Sequence, residues 1–164
     1  MHAQLSILLV EDHLADATLI SRELERMDFT FTLTRVQSES DLERELTSNP
    51  PDLILADGDR QLLDGFRALE ITLNIAPRLP FIFVSGSNDQ RLVERMFNAG
   101  AAGYVFKRDL HDLKPVIESL LAEAMKPQSP AAERNGVDRL APLSSPAGSP
   151  MTSLCHDFNL SKAR

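Results

Sequence analysis

The chain is poor in three things, and each scarcity excludes a class of protein. Only one cysteine, Cys155, occurs in 164 residues. That excludes an internal disulfide and any cysteine cluster for zinc or iron–sulfur, and it fits a reducing, cytoplasmic compartment. Basic residues are outnumbered, 17 Lys and Arg against 24 Asp and Glu, for a net charge of -7. A phosphate backbone demands Lys and Arg, so nonspecific nucleic-acid binding is disfavoured. No apolar run approaches the roughly 18 residues needed to span a bilayer. The opening "MHAQLSILLV" has no basic region and no small-residue cleavage site, so no signal peptide is expected.

What is present divides near Lys126. After it, five of the ten prolines fall between Pro127 and Pro150 among Ser, Ala and Gly. Such a segment buries too little apolar surface to offset its chain entropy, and residues 127–164 read as a linker or disordered tail. Residues 1–126 alternate between two periodicities. "LSILLV" (5–10) is an apolar run of a strand covered on both faces. Leu14, Ala17, Ile20, Leu24 and Met27 recur every three or four positions, as on one face of a helix. "FTFTLTRV" (29–36) alternates with period two, as a strand with one face less buried. Ser38 and Asp41 resemble a capping box that opens a helix to Ser48, which Pro50-Pro51 ends.

Strands follow at 52–56, 79–84 and 103–106. Helices are expected at about 64–74, at 89–100 with Gly100 as C-cap, and from Leu113 to Met125 with Asp112 as N-cap. Five strands alternating with five helices predict a doubly wound α/β fold, a parallel sheet with helices on both faces. Ligands of such folds sit outside the carboxyl ends of the strands, near the switch in strand order.

The residues just after the strands are Glu11-Asp12, Asp57, Ser85-Gly86 and Lys107. Singly, an acid there is a solvated loop residue or a helix cap, a serine is a turn former, and a lysine is a surface charge. Jointly they place three carboxylates, a hydroxyl and an amine at one sheet edge. Crowded carboxylates repel and titrate with raised pKa values unless a cation sits among them. Oxygen ligands in a shallow site suit Mg²⁺. An ionised aspartate beside it is a nucleophile toward a phosphoryl group, whose oxygens Lys107 and Ser85 would hold.

In this arrangement the sequence resembles the receiver domain of two-component response regulators, of the subtype associated with sensory histidine kinases. The resemblance rests on "ILLVEDHLADA", "PDLILADGDRQLLDG", "FIFVSG" and "AGAAGYVFK", in order, over about residues 5–125. It implies a flavodoxin-like sheet of order 2-1-3-4-5. It implies that Asp57 accepts a phosphoryl group from a phosphohistidine of a sensor histidine kinase or phosphotransfer protein. Mg²⁺ would be held by Asp12, Asp57, the backbone carbonyl of Asp59 and, through water, Glu11. Ser85 and Lys107 would hold the phosphoryl oxygens, and Tyr104 would be an aromatic switch residue moving with Ser85. The signal would pass to a downstream protein target or a homodimer; no basic helix-turn-helix follows, so no direct DNA contact is expected.

Gln61 stands where the family usually has proline, beside Arg60, and Arg108 stands where a proline commonly follows the lysine. These departures point to a looser acceptor loop and a different loop after Lys107. Asp59 places a carboxylate two residues after the acceptor, beside the path of an attacking water, with an expected effect on the lifetime of the phosphoryl group. Two further readings stay open on the residues alone: an interaction module without phosphotransfer, and a Mg²⁺-dependent phosphohydrolase of haloacid-dehalogenase type, for which Asp59 is a superficial match. The segment His156-Asp157-Phe158-Asn159 resembles the phosphoacceptor box of one histidine-kinase group. Leu160 replaces that box's second Asn, so the segment reads as a remnant or coincidence.

Overall fold

A computed structural model of the chain describes residues 4–59 and 64–124. The expected tail at 127–164, with Cys155 and His156, and the departures at Arg60 and Gln61 lie outside the described residues. Strands β1 (Leu5–Val10), β2 (Phe31–Val36), β3 (Leu53–Asp57), β4 (Phe81–Ser85) and β5 (Gly103–Phe106) alternate with helices. The helices are α1 (Leu14–Leu24), α2 (Glu39–Ser48), α3 (Gly65–Ile75), α4 (Gln90–Asn98) and α5 (Leu113–Ala124). All strand pairs are parallel, in the order β2-β1-β3-β4-β5. This is the expected flavodoxin-like arrangement.

The apolar runs bury both sides of the sheet, since successive residues of a strand face opposite ways. Ile7, Leu9, Leu53, Leu55, Ile82 and Val84 face one core, closed by Ala17, Ile20 and Leu24 of α1 and by Leu113, Val116 and Ile117 of α5. Leu8, Val10, Ile54, Ala56, Phe81 and Phe83 face the other, closed by Leu42 and Leu46 of α2, Leu69 and Ile71 of α3, and Met96 of α4. Ser38 caps α2, its hydroxyl oxygen accepting from the Asp41 amide at 3.2 Å. The hydroxyl in turn donates to Asp41 Oδ2 at 2.7 Å. Gly100 follows α4 at φ +110° and closes it.

Several expected boundaries move, each for a visible reason. β2 starts at Phe31, not Phe29, because its first partner across the sheet is Leu5. β4 starts at Phe81, not Leu79, since Pro80 has no N–H to give a ladder and contributes only its carbonyl, to Ile54 N–H. β3 and β4 each run one residue further than expected: Asp57 pairs with Val84 and Ser85 with Phe106. α1 ends at Leu24, and Arg26 and Met27 turn back onto the carbonyls of Glu23 and Leu24. Leu14, expected on the core face of α1, is 70% exposed. Asp112 is not an isolated N-cap: Lys107–Asp112 form a 3₁₀ segment, broken at Asp109, that leads directly into α5. Arg108, in that segment, lies over the Phe106 ring at 5.7 Å.

Candidate functional site

The strand order fixes where a site belongs. The chain leaves β1 toward β2 on one side and returns to β3 on the other, so a crevice opens beyond their carboxyl ends. Asp57 ends β3 there, 4% exposed, and Glu11 follows β1, 2% exposed. The register that pairs Val10 with Ala56 brings these carboxylates side by side. Asp12 is next in sequence, its Oδ1 3.4 Å from His13 Nδ1. From the far side, Ser85 ends β4 and Lys107 follows β5.

Asp57 Oδ1 accepts from the Asp59 amide at 2.9 Å and lies 2.9 Å from Lys107 Nζ. Glu11 Oε1 accepts from the His13 amide at 2.9 Å. The other oxygens, Asp57 Oδ2 and Glu11 Oε2, are buried without a hydrogen-bond partner. Lys107 Nζ faces four carboxylates: Asp16 at 2.7 Å, Asp57 at 2.9 Å, Asp59 at 3.4 Å and Glu11 at 3.7 Å. Burial, reinforced by repulsion from Asp57, pushes Glu11 up to about 6 against the pull of the His13 amide and Lys107. Burial likewise raises Asp57, with the Asp59 amide and Lys107 opposing. Lys107 is the reverse case. Burial alone would lower it, but hydrogen bonds to Asp16 and Asp57 carry its pKa upward, so it stays charged.

The site thus concentrates negative charge around one amine and leaves buried carboxylate oxygens unmatched. Such a donor set fits a hard divalent cation with oxygen ligands. Glu11, His13, Asp16 and Asp57 each offer one ligand atom, all within 4.8 Å of one another. This grouping includes His13, absent from the ligand set that the sequence reading gave, although its side chain is 55% exposed. It also includes Asp16, which that reading missed. The signal for Asp16 was available: it stands four residues after Asp12 in the first turn of α1, and helical spacing returns it to the same edge.

Ser85 does not stand open. Its Oγ donates to Asp59 Oδ1 at 2.8 Å and accepts from the Ser87 amide at 3.1 Å. Asp59 Oδ2 accepts from the Gly86 amide at 2.9 Å. Burial alone would raise the Asp59 pKa; the Gly86 amide, the Ser85 hydroxyl and Lys107 outweigh it and hold Asp59 below the usual carboxylate value. The Tyr104 hydroxyl donates to the Ser87 carbonyl, and the ring is half-buried against the core under α4.

The response regulator receiver domain family matches residues 7–118. The chain belongs to this family. It is similar to the two-component response regulator ARR10 of Arabidopsis thaliana, 26% identical over 132 residues, or 79% of this chain. The chain spans about a quarter of that relative's length, 24%. Among solved structures it resembles the receiver domain of a sensor histidine kinase from Pseudomonas aeruginosa PAO1, which has a magnesium ion coordinated in its active-site cleft. Identity is 25% and the TM-score 0.63, over 73% of this chain and 99% of that one. The phosphorylated cyanobacterial phytochrome response regulator RcpA shares the fold, with 23% identity and a TM-score of 0.62, over 74% of this chain and 96% of that one. Receiver domains are signalling modules of two-component systems rather than typical enzymes, so the hydrolase reading of Asp59 falls away. No described helix is long and apolar enough to cross a membrane.

Proposed function

We propose that this receiver takes a phosphoryl group onto Asp57 from a phosphohistidine of a sensor histidine kinase or phosphotransfer protein. The carrying observation is the state of the Asp57 carboxylate: one oxygen held by Lys107 and the Asp59 amide, the other buried and unpartnered at the carboxyl end of the central strand. In the transfer, an Asp57 oxygen bonds to phosphorus as the bond from phosphorus to the imidazole nitrogen breaks, and that nitrogen leaves with the electron pair. Lys107 neutralises charge on the phosphoryl oxygens, and the Ser85 hydroxyl donates to one of them.

Glu11, Asp12, Asp57 and the backbone carbonyl of Asp59 are the residues proposed to hold Mg²⁺, Glu11 through water. The bound ion would supply positive charge against the phosphoryl oxygens. Its fit is supported by the two buried oxygens without a hydrogen bond and the excess of carboxylates over amines. Tyr104, tied through Ser87 to Ser85, is the residue proposed to carry the change outward to a downstream protein or a second copy of the chain.

The test is incubation of the full chain with Mg²⁺ and acetyl phosphate, followed by intact mass, with Asp57→Asn as control. An adduct of one phosphoryl group that requires Asp57 is expected. Absence of any adduct would favour an interaction module that keeps the fold without the chemistry.

A further inference from the structure

The donors assigned to the phosphoryl oxygens are already engaged. One carboxylate, that of Asp59, takes the Ser85 hydroxyl at 2.8 Å on Oδ1 and the Gly86 amide at 2.9 Å on Oδ2, with Lys107 Nζ 3.4 Å from Oδ2. These donors come from the end of β4, the loop beyond it, and the residue after β5. A single anion joins all three segments. The Asp59 amide meanwhile donates back to Asp57 Oδ1 at 2.9 Å, so the chain curls over the acceptor and returns its side chain to the donors on the far side. Asp57 itself is almost wholly covered.

A phosphoryl group on Asp57 would ask for the same hydroxyl and the same amine. Two carboxylate oxygens, each hydrogen-bonded and one of them facing a lysine, reproduce the charge and part of the acceptor pattern of a phosphoryl group. We propose that Asp59 is an internal stand-in for the phosphoryl group. Its carboxylate holds Ser85, Gly86 and Lys107 in the unphosphorylated chain and swings out before Asp57 is modified. The proposal rests on the reading of Asp57 as acceptor, and it adds regulation to that site. The competent fraction of molecules is the fraction with Asp59 displaced, and the apparent rate of phosphorylation falls by that factor.

The contact also reaches the outer face. Asp59 binds Ser85 Oγ, that oxygen accepts from Ser87 N–H, and the Ser87 carbonyl accepts from Tyr104. An occupied cradle therefore holds Tyr104 in place before any phosphoryl group arrives. Tyr104 is the sole tyrosine of the sequence and there is no tryptophan, so the phenol signal comes from this residue alone.

The experiment compares the full wild-type chain with Asp59→Ala. Adduct formation from acetyl phosphate and Mg²⁺ is followed by intact mass, and the Gly86 amide proton by NMR before and after adding beryllofluoride, a tetrahedral phosphoryl analogue. Asp59→Ala is expected to form the Asp57 adduct about fivefold faster or more. The Gly86 proton is expected to move upfield in Asp59→Ala and to return downfield on beryllofluoride. An adduct rate equal to or below that of the wild type overturns the proposal while leaving the acceptor reading intact. A faster rate with an unmoved Gly86 proton is relief of charge alone and overturns it as well. No Asp57-dependent adduct in either chain removes the acceptor reading, and this proposal with it.

Discussion

Glu11→Gln should make the metal-free protein more stable at neutral pH, although it alters a residue of the candidate site. The side chain is almost wholly buried, and its Oε2 has no hydrogen-bond partner. A rise of its pKa from 4.5 to about 6 corresponds to about 2 kcal/mol, at 1.36 kcal/mol per unit. The folded state binds the proton more tightly than the unfolded chain. The stability from protonated Glu11 is therefore fully present below pH 4.5 and lost as pH rises through about 6. Glutamine keeps Oε1 as acceptor for the His13 amide and carries no charge. Without metal, the variant should exceed the wild type by about 2 kcal/mol at pH 8, a shift of about 1 M in urea midpoint, with the gap closing toward pH 4.5. Saturating Mg²⁺ should narrow the gap at pH 8, because a cation that binds only the folded state stabilises the wild type by mass action. Urea unfolding followed by circular dichroism from pH 4.5 to 8 measures all three. A variant no more stable than the wild type at pH 8, or a gap independent of pH, would refute the reasoning.

Other perturbations test the supporting frame. Gly65→Ala would set a methyl carbon 2.5 Å from the Asp57 carbonyl oxygen and 2.7 Å from the Phe83 ring. It should destabilise the domain by about 1–3 kcal/mol, as overpacking does, and lower its urea midpoint. Ser38→Ala removes the hydroxyl that caps α2 and should cost about 1 kcal/mol in the same assay. Leu24→Ala, at a fully buried position, should cost about 2–5 kcal/mol by creating a cavity under α1. Leu14→Ala should stay within about 0.5 kcal/mol of wild type, since that residue faces solvent.

The sheet was legible because β1, β3 and β4 are short apolar runs covered on both faces, and such runs leave few alternatives to a parallel sheet. Their ends were less legible. They depend on which residue finds a partner across the sheet, as Phe31 does with Leu5, and on Pro80, which cannot give an N–H. The 3₁₀ segment Lys107–Asp112 escaped because "KRDLHD" carries no apolar period to mark it. At the site, Asp57, Glu11, Ser85 and Lys107 were legible as residues at strand ends. Asp59 was legible as a charge but not as a contact. Its placement two residues after Asp57 suggested an effect on an attacking water; that its side chain takes the Ser85 hydroxyl and the Gly86 amide was not visible. Side-chain direction in a loop is decided by donors from distant segments, which one stretch of sequence does not display. For Asp16, on helix α1, the edge was legible from spacing, but not its partner Lys107, which lies 91 residues away.

The most direct test of the account is the identity of the modified residue. An acyl phosphate formed with acetyl phosphate and Mg²⁺ is reduced by borohydride, and peptide mass mapping then locates the resulting homoserine. The account predicts homoserine at position 57 and at no other acidic residue. Homoserine at Asp12, Asp16 or Asp59 instead, the one-carbon-longer alcohol 2-amino-5-hydroxyvaleric acid at Glu11, or no reduced residue at all would contradict it.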